Sequence, residues 1–306
     1  MTTTAQEMAT QERIAADAFE VIPTGAALGA SVNGVDLRHL TEATFARIMQ
    51  AWHEHSVLLF RGQPVTDQAQ EAFSACFGPL ELTKVASLGE GTHFSILKNI
   101  GPDGQLVLDG HRETLVARAN QLWHTDSSFK TTPALASVLS ARVIPDSGGE
   151  TEFASTRLAW QRLPEPLRAK LADAFAWHDY AHSRSKIDPG LATSVEQTAL
   201  PPVRWRLNWP NPANGRVSLY IASHAFAIDG MDKTEAQSLL AELIAEATKR
   251  EHTYLHQWRA GDVIMWDNRA TLHRGRPWPA DQPRHVVRTT ISARDADGLD
   301  RVRPAA

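Results

Sequence analysis

The residues with the clearest chemical potential lie in Gln121-Leu122-Trp123-His124-Thr125-Asp126. At a strand end, side chains two positions apart point to the same side, so His124 and Asp126 can converge on one metal ion. A third ligand must come from elsewhere. His273, in Thr271-Leu272-His273-Arg274-Gly275, follows the apolar run 262–266 and a turn at Asp267-Asn268. Two imidazoles and one carboxylate on one face of an octahedron leave three positions open, which is the pattern of non-haem Fe(II) sites. Such a centre stays net positive and suits an anionic keto acid followed by O2. The His-x-Asp tripeptide alone is weak evidence. Arg284 and Arg288, eleven and fifteen residues beyond His273, sharpen it. An even step of four puts both on one side of a regular strand, and a guanidinium grips a carboxylate through two parallel hydrogen bonds. One arginine could hold the far carboxylate of 2-oxoglutarate and the other an anionic substrate. A solvated strand face is the plain alternative.

The elements that must position these residues read as short strands with helices between them. β-like runs cover 19–22, 56–60, 94–97, 134–143, 217–221, 254–258, 262–266 and 286–293, several of them bounded by turn residues such as Asn214-Gly215. Thr41 can cap a helix through His53, with Phe45, Ile48, Met49 and Trp52 on one stripe. Thr66 can cap another through Cys76, and two more helices are expected over 164–175 and 234–248. Strands outnumber helices without alternating with them, and neither G-x-G-x-x-G nor a P-loop occurs, so a doubly wound nucleotide-binding sheet has no support. The expected class is mainly β with flanking helices, as a β-sandwich or jelly roll. Residues 1–18 read as a polar tail, 19–295 as one domain and 296–306 as a C-terminal tail. Residues 84–118, rich in Gly and polar residues, read as a mobile loop that could act as a lid. Trp123 and Trp266 should pack beside the site, and Asp267 should fix its turn through the side chain.

Composition narrows the function classes. A chain of 306 residues, 42% hydrophobic, can bury one large core. A net charge of −4 with no long block of like charge carries no footprint for nucleic acid. Cys76 is the sole cysteine, which excludes an intrachain disulfide and a multi-cysteine zinc site. In Phe73-Ser74-Ala75-Cys76-Phe77 it reads as a small buried hydrophobe. The N-terminal residues lack the pattern of a signal peptide, and no apolar run approaches the roughly 18 residues of a membrane span. The expectation is a cytoplasmic protein acting on a small anionic molecule, with no membrane or nucleic-acid partner. Self-association is left open.

Several long stretches, in order, resemble the taurine and 2,4-dichlorophenoxyacetate dioxygenase family. They are Ser56-Val57-Leu58-Leu59-Phe60-Arg61-Gly62-Gln63-Pro64, Ala119 through Phe129, Ser147-Gly148-Gly149-Glu150-Thr151-Glu152-Phe153, and Gly261 through Arg269 running on to His273-Arg274-Gly275. The likeness is to the phenoxyacetate branch more than to the taurine branch. It implies a double-stranded β-helix (jelly roll), with Fe(II) held by His124, Asp126 and His273 and with 2-oxoglutarate and O2 as co-substrates. It implies that Thr151 and Arg284 bind the distal carboxylate of 2-oxoglutarate and that Arg288 binds the anionic head of the substrate. Asn120 matches a substrate-side asparagine of the taurine branch, and His224 matches a histidine near the substrate pocket. Where the taurine branch has a histidine after its Phe-Gly turn, this chain has Phe77-Gly78-Pro79-Leu80-Glu81-Leu82-Thr83-Lys84. Lys84 there looks like a lysine of the phenoxyacetate branch, with a surface lysine as the alternative. His178, His182, His252 and His256 read as structural or surface residues. The implied reaction is hydroxylation of an aryloxyacetate beside its ether oxygen, giving a hemiacetal that collapses to a phenol and glyoxylate. A taurine-like sulfonate dioxygenase and a non-catalytic metal-binding jelly roll are the rivals. Asp126 argues against a halogenase, which would need a small residue there, and a zinc hydrolase would leave Thr151 and the paired arginines without a role.

Overall fold

The computed structural model describes residues 19–107 and 111–304, so the expected tail over 1–18 lies outside the described residues. In chain order the strands are β1 (Glu20–Pro23), β2 (Ala30–Asn33), β3 (Val57–Phe60), β4 (Ser95–Lys98), β5 (Ala134–Val143), β6 (Thr151–Ser155), β7 (Phe175–His178), β8 (Val203–Arg206), β9 (Asn208–Pro210), β10 (Val217–Leu219), β11 (Ala225–Ile228), β12 (Thr253–His256), β13 (Val263–Asp267), β14 (Thr271–Gly275) and β15 (His285–Ser292). The helices are α1 (Glu42–His55), α2 (Asp67–Ala75), α3 (Arg112–Ala119), α4 (Thr156–Arg162), α5 (Glu165–Leu171), α6 (Tyr180–Ser185), α7 (Ser194–Ala199), α8 (Lys233–Ala247) and α9 (Leu299–Val302). No helix among the described residues is long and apolar enough to cross a membrane.

Seven strands form one sheet in the order β1-β2-β3-β13-β5-β15-β4, antiparallel except for the parallel pair β2 and β3. A second sheet, β12-β6-β14, lies against one face of it. The central strands read as continuous apolar runs because both faces are covered. Leu58, Phe60, Val138, Val263 and Met265 pack against Ile48 and Trp52 of α1 and Phe73 of α2. Val57, Leu139, Ile264 and Trp266 point the other way and meet Phe153 of β6. The period of two along each strand thus sorts one sequence into a helix-facing and a sheet-facing layer.

The expected helix caps are present. Thr41 Oγ1 accepts from the Thr44 amide at 3.1 Å and Thr66 Oγ1 from the Ala69 amide at 3.2 Å, satisfying amides that the first turn leaves unpaired. The helix expected over 164–175 stops at Leu171, and Phe175 opens β7 instead. The mobile loop expected over 84–118 is corrected by β4, which pairs with β15 at the edge of the large sheet, and by α3. Cys76 is exposed, not buried. The buried stripe of α2 runs through Gln70, Phe73, Ser74 and Phe77, and Cys76 falls off it. Order also continues beyond residue 295, because Leu299 and Val302 of α9 are buried in the main core.

His178 closes β7 wholly inside the protein, stacked 5.8 Å from the Tyr220 ring. Burial pushes its pKa down to about 3, so the folded protein holds it neutral. Below an unfolded value near 6.5 the unfolded chain takes up a proton that the folded one refuses, so this ring removes stability as pH falls. The slope is about 1.4 kcal/mol per pH unit down to the folded pKa. In urea titrations between pH 6 and 4, His178→Asn should therefore show a shallower acid loss of stability than the parent by about that slope. Identical slopes would mean that His178 titrates alike in both states.

Candidate metal centre

The turn after β13 builds one side of the centre. Asp267, with no exposure, accepts three hydrogen bonds from Arg269 at 2.9 Å, one from its amide and two from its guanidinium, and lies 3.6 Å from Arg157, so it fixes the turn as its position suggests. The next residue, Asn268, had no signal in the sequence as a site residue. Its Oδ1 accepts from the Asp126 amide at 3.1 Å and from Trp266 Nε1 at 3.0 Å, and its Nδ2 donates to Ser137 Oγ at 2.9 Å. Thr125 Oγ1 donates to its carbonyl at 2.6 Å. Asn268 thereby ties the 124–126 segment to the large sheet.

His124 is not in a strand. It makes a single antiparallel bridge with His273 of β14, each amide donating to the other's carbonyl, at 3.0 and 2.8 Å. Asp126 begins a turn in which Ser127 has φ +53°, so the strand-end geometry expected for the His-x-Asp pair is replaced by a bridge and a turn. The result is the convergence that the spacing suggested. One donor atom each from His124, Asp126 and His273 lies within 4.8 Å of the others, and all three residues are buried. His124 Nε2 is 3.9 Å and His273 Nε2 3.6 Å from the Asp126 carboxylate. Trp266 packs 4.7 Å from the His273 ring, whereas Trp123 lies outside with Arg274 across its face at 4.5 Å.

The electrostatics suit a cation. Burial lowers the pKa of His124 and, further, of His273, so both rings are neutral with a lone pair to give. His124 Nδ1 lies 2.7 Å from the Leu122 carbonyl, which can only accept, so Nδ1 carries the proton and Nε2 is the donor atom. Burial raises the pKa of Asp126, but Arg288 and then the two rings outweigh it and hold the carboxyl down at about 2. Ser137 Oγ donates to its Oδ2 at 2.7 Å.

Thr151 opens β6, two residues before Phe153, which pairs with His273 in register. Its hydroxyl accepts from Trp258 Nε1 at 3.0 Å, leaving its own proton to give. Arg284 lies just before β15, and a register shift between His285 and Val286 means that the even step to Arg288 does not put the two arginines on one face. Their guanidiniums diverge. Arg288 pairs directly with Asp126 Oδ1. Arg284 is buried, makes one long hydrogen bond to the Gly149 carbonyl at 3.4 Å, lies 5.0 Å from the Trp278 ring, and has no partner for Nε. Burial brings its pKa down to about 10. Gly149, at φ +71°, leaves it room, since a Cβ there would stand 3.2 Å from Arg284 Nε.

The other candidates separate. Lys84 is bound to Glu196 at 2.7 Å, in a buried cluster that also takes Arg112 at 2.7 Å and the Tyr180 hydroxyl at 3.1 Å. It is neither a surface lysine nor an unpaired cation. Asn120 caps the end of α3 and pairs through its carbonyl with the Gly275 amide at 2.9 Å. His224 is buried with its ring 6.3 Å from that of His124, and its Nδ1 lies 3.3 Å from Ser128 Oγ. A groove of about 550 Å³ between α8 and the 121–123 segment is lined by Trp123, Lys186, Ser223 and Leu240 and by none of the three metal-site residues.

Residues 20–290 match the family described as taurine catabolism dioxygenase TauD, TfdA family. The chain is 39% identical over 267 residues to an alpha-ketoglutarate-dependent 2,4-dichlorophenoxyacetate dioxygenase of Cupriavidus pinatubonensis, spanning 85% of this chain and 93% of the relative. It is 35% identical over 296 residues to an alpha-ketoglutarate-dependent sulfate ester dioxygenase of Pseudomonas putida, spanning 92% of each. Its fold superposes on the crystal structure of AAD-2 in complex with Mn(II) and N-oxalylglycine with a TM-score of 0.83 and 35% identity, covering 90% of this chain and 97% of that one. With a buried two-histidine, one-carboxylate cluster in place and a family match across nearly the whole described chain, the protein belongs to the TauD, TfdA dioxygenase family.

Proposed function

We propose that this protein is an Fe(II)- and 2-oxoglutarate-dependent dioxygenase of the jelly-roll type that hydroxylates a small carboxylate, first of all an aryloxyacetate such as 2,4-dichlorophenoxyacetate. The observation that carries the reading is the buried His124, Asp126 and His273 cluster with an unpaired arginine, Arg284, beyond it. The donor set fits Fe(II), with two neutral imidazoles and one ionised carboxylate. The Arg284 guanidinium, short of hydrogen-bond partners, and the Thr151 proton fit the distal carboxylate of 2-oxoglutarate. When bound, iron and 2-oxoglutarate supply the oxidant that removes hydrogen from a substrate C–H bond.

The chain's own residues do the positioning. Asn268 holds the Asp126 amide and Ser137 orients the Asp126 carboxylate, and the Leu122 carbonyl fixes the tautomer of His124. Arg288 pairs with the Asp126 carboxylate and keeps it ionised. Phe153 and Trp266 wall the site with apolar surface and limit water around it. In an aryloxyacetate, hydroxylation beside the ether oxygen gives a hemiacetal that breaks down to a phenol and glyoxylate. An alkyl sulfate or sulfonate is the second reading, motivated by the Pseudomonas putida relative.

Succinate formation by anaerobically purified protein, given Fe(II), 2-oxoglutarate and O2, tests this across a panel of aryloxyacetates, a sulfate ester and taurine. Aryloxyacetate-stimulated succinate with phenol release is expected. Stimulation only by the sulfur compounds moves the substrate class, and no succinate with iron bound leaves a non-catalytic metal protein. Asp126→Ala should abolish hydroxylation by removing the one anionic donor, and turnover at the parent rate would remove Asp126 from the ligand set. Arg284→Gln breaks charge-assisted bonds worth about 1.5–3 kcal/mol each. The apparent affinity for 2-oxoglutarate should fall about tenfold or more, while an unchanged value would put the co-substrate elsewhere.

A further inference from the structure

The Thr151 hydroxyl is buried, and its one hydrogen bond among the described residues is the bond it accepts from Trp258 Nε1 at 3.0 Å. A threonine hydroxyl has one proton and two lone pairs, whereas an indole N–H can only donate. Trp258 therefore occupies one lone pair, and the hydroxyl cannot give its proton back along that line. The proton is left to point at another acceptor. A hydroxyl that accepts one hydrogen bond also donates a stronger one, because the two bonds polarise each other. Trp258 thus sets Thr151 as a donor.

Trp258 is itself held in place. β12 pairs with β6 in a register that sets His256 opposite Thr151, and Trp258 follows two residues later. The residues on either side of it are tied down. Asp262 Oδ2 accepts from the Arg259 amide at 2.8 Å and pairs with Arg61, which also donates to the Gln257 carbonyl at 3.3 Å. The His256 ring stands edge-on to the indole, 4.4 Å between centres. The body of the indole belongs to the apolar cluster that holds Phe153 and Val286. Phe153 is two residues beyond Thr151 on β6, and Val286 is two beyond Arg284 on β15. The tryptophan is thus built into the layer between the strand that carries Thr151 and the strand that Arg284 leads into. Packing alone accounts for a large apolar side chain there. It does not account for the partner of the N–H, which is the hydroxyl next to the proposed co-substrate site.

We infer that Trp258 is a positioning residue for 2-oxoglutarate, and that its indole N–H acts through the Thr151 hydroxyl on the distal carboxylate. The inference rests on the proposed function, which puts that carboxylate against Thr151 and Arg284. Arg284 supplies the charge, and Thr151, fixed as a donor, supplies direction. A carboxylate accepts from both groups at once. Without the indole N–H, the threonine hydroxyl loses both the contact that fixes its orientation and the polarisation that strengthens its donated bond.

The test is a double-mutant cycle read by calorimetric titration of Mn(II)-loaded protein with 2-oxoglutarate. Trp258→Phe keeps an aromatic ring and removes the N–H. It should weaken 2-oxoglutarate binding about fivefold while leaving Mn(II) affinity within about twofold. Thr151→Val should weaken 2-oxoglutarate at least as much, and the double variant should bind no more weakly than Thr151→Val alone, because the indole acts only through the hydroxyl. If the phenylalanine variant does not fold, the indole N–H is itself the readout. In Zn(II)-loaded protein labelled with 15N at the tryptophan indoles, 2-oxoglutarate should shift the signal that Thr151→Ser also moves. No loss of affinity in Trp258→Phe, losses that multiply in the double variant, an equal loss of Mn(II) affinity, or an indole signal unmoved by 2-oxoglutarate would overturn the assignment. Loss of 2-oxoglutarate affinity in Arg284→Gln but not in Trp258→Phe would sink this assignment and leave the proposed function standing. A parent that binds no 2-oxoglutarate would defeat both.

Discussion

The metal centre depends on one pair of backbone hydrogen bonds, those exchanged between His124 and His273. They join a loop residue to an edge strand separated from it by 149 positions, and they are all the regular pairing the loop has. The bridge places both rings 4.2 Å apart, centre to centre, on the space between the two sheets. Everything else in the site adjusts to that bridge. Asn268 and Thr125 pin the segment from below, and Ser137 aims the carboxylate. A loop carries the ligands, but strands on three sides set where the loop can lie.

Charge accounting explains how such a site stays inside the protein. Asp126, Asp267 and Glu196 are buried carboxylates, and each meets cations with good hydrogen-bond geometry. Asp267 and Glu196 are structural anchors, one for the turn under the metal site and one joining Lys84, α3 and α7. Asp126 differs because its one counter-charge is Arg288 and its other close neighbours are two neutral imidazole rings. Desolvation keeps the rings unprotonated and so ready to ligate a cation, while burial leaves Arg284 short of hydrogen-bond partners. The same low-dielectric interior that makes unpaired charges costly makes them selective for ligands of opposite sign.

The aromatic residues serve both structure and site. Phe153 and Trp266 fill the layer between the sheets and touch His273, so the packing core and the metal centre are continuous. On the other side, Phe129 and Tyr180 extend the wall away from the metal. Relatives of this chain include an alpha-ketoglutarate-dependent 2,4-dichlorophenoxyacetate dioxygenase and an alpha-ketoglutarate-dependent sulfate ester dioxygenase.

Much was legible in the residues themselves. The caps at Thr41 and Thr66 and the span of β5 follow from local physics, since capping hydrogen bonds and a continuous run of small and apolar residues act within a few positions. The convergence of His124, Asp126 and His273 was legible from residue type and spacing, strengthened by long motifs in order. What the sequence could not determine was decided by contacts between distant elements. Local patterning left 84–118 as a loop, yet pairing with β15 makes part of it a strand. Cys76 sat among apolar neighbours, yet the helical stripe turned it outward. The step from Arg284 to Arg288 was even, yet a bulge between them sends one guanidinium to Gly149 and the other to Asp126. Asn268 carries no motif, and it matters because the fold brings the Asp126 amide, Trp266 and Ser137 to its side chain. Residue type sets which chemistry is available, whereas burial and partner geometry, which exist only in the folded chain, decide which groups are spent on structure and which remain to bind.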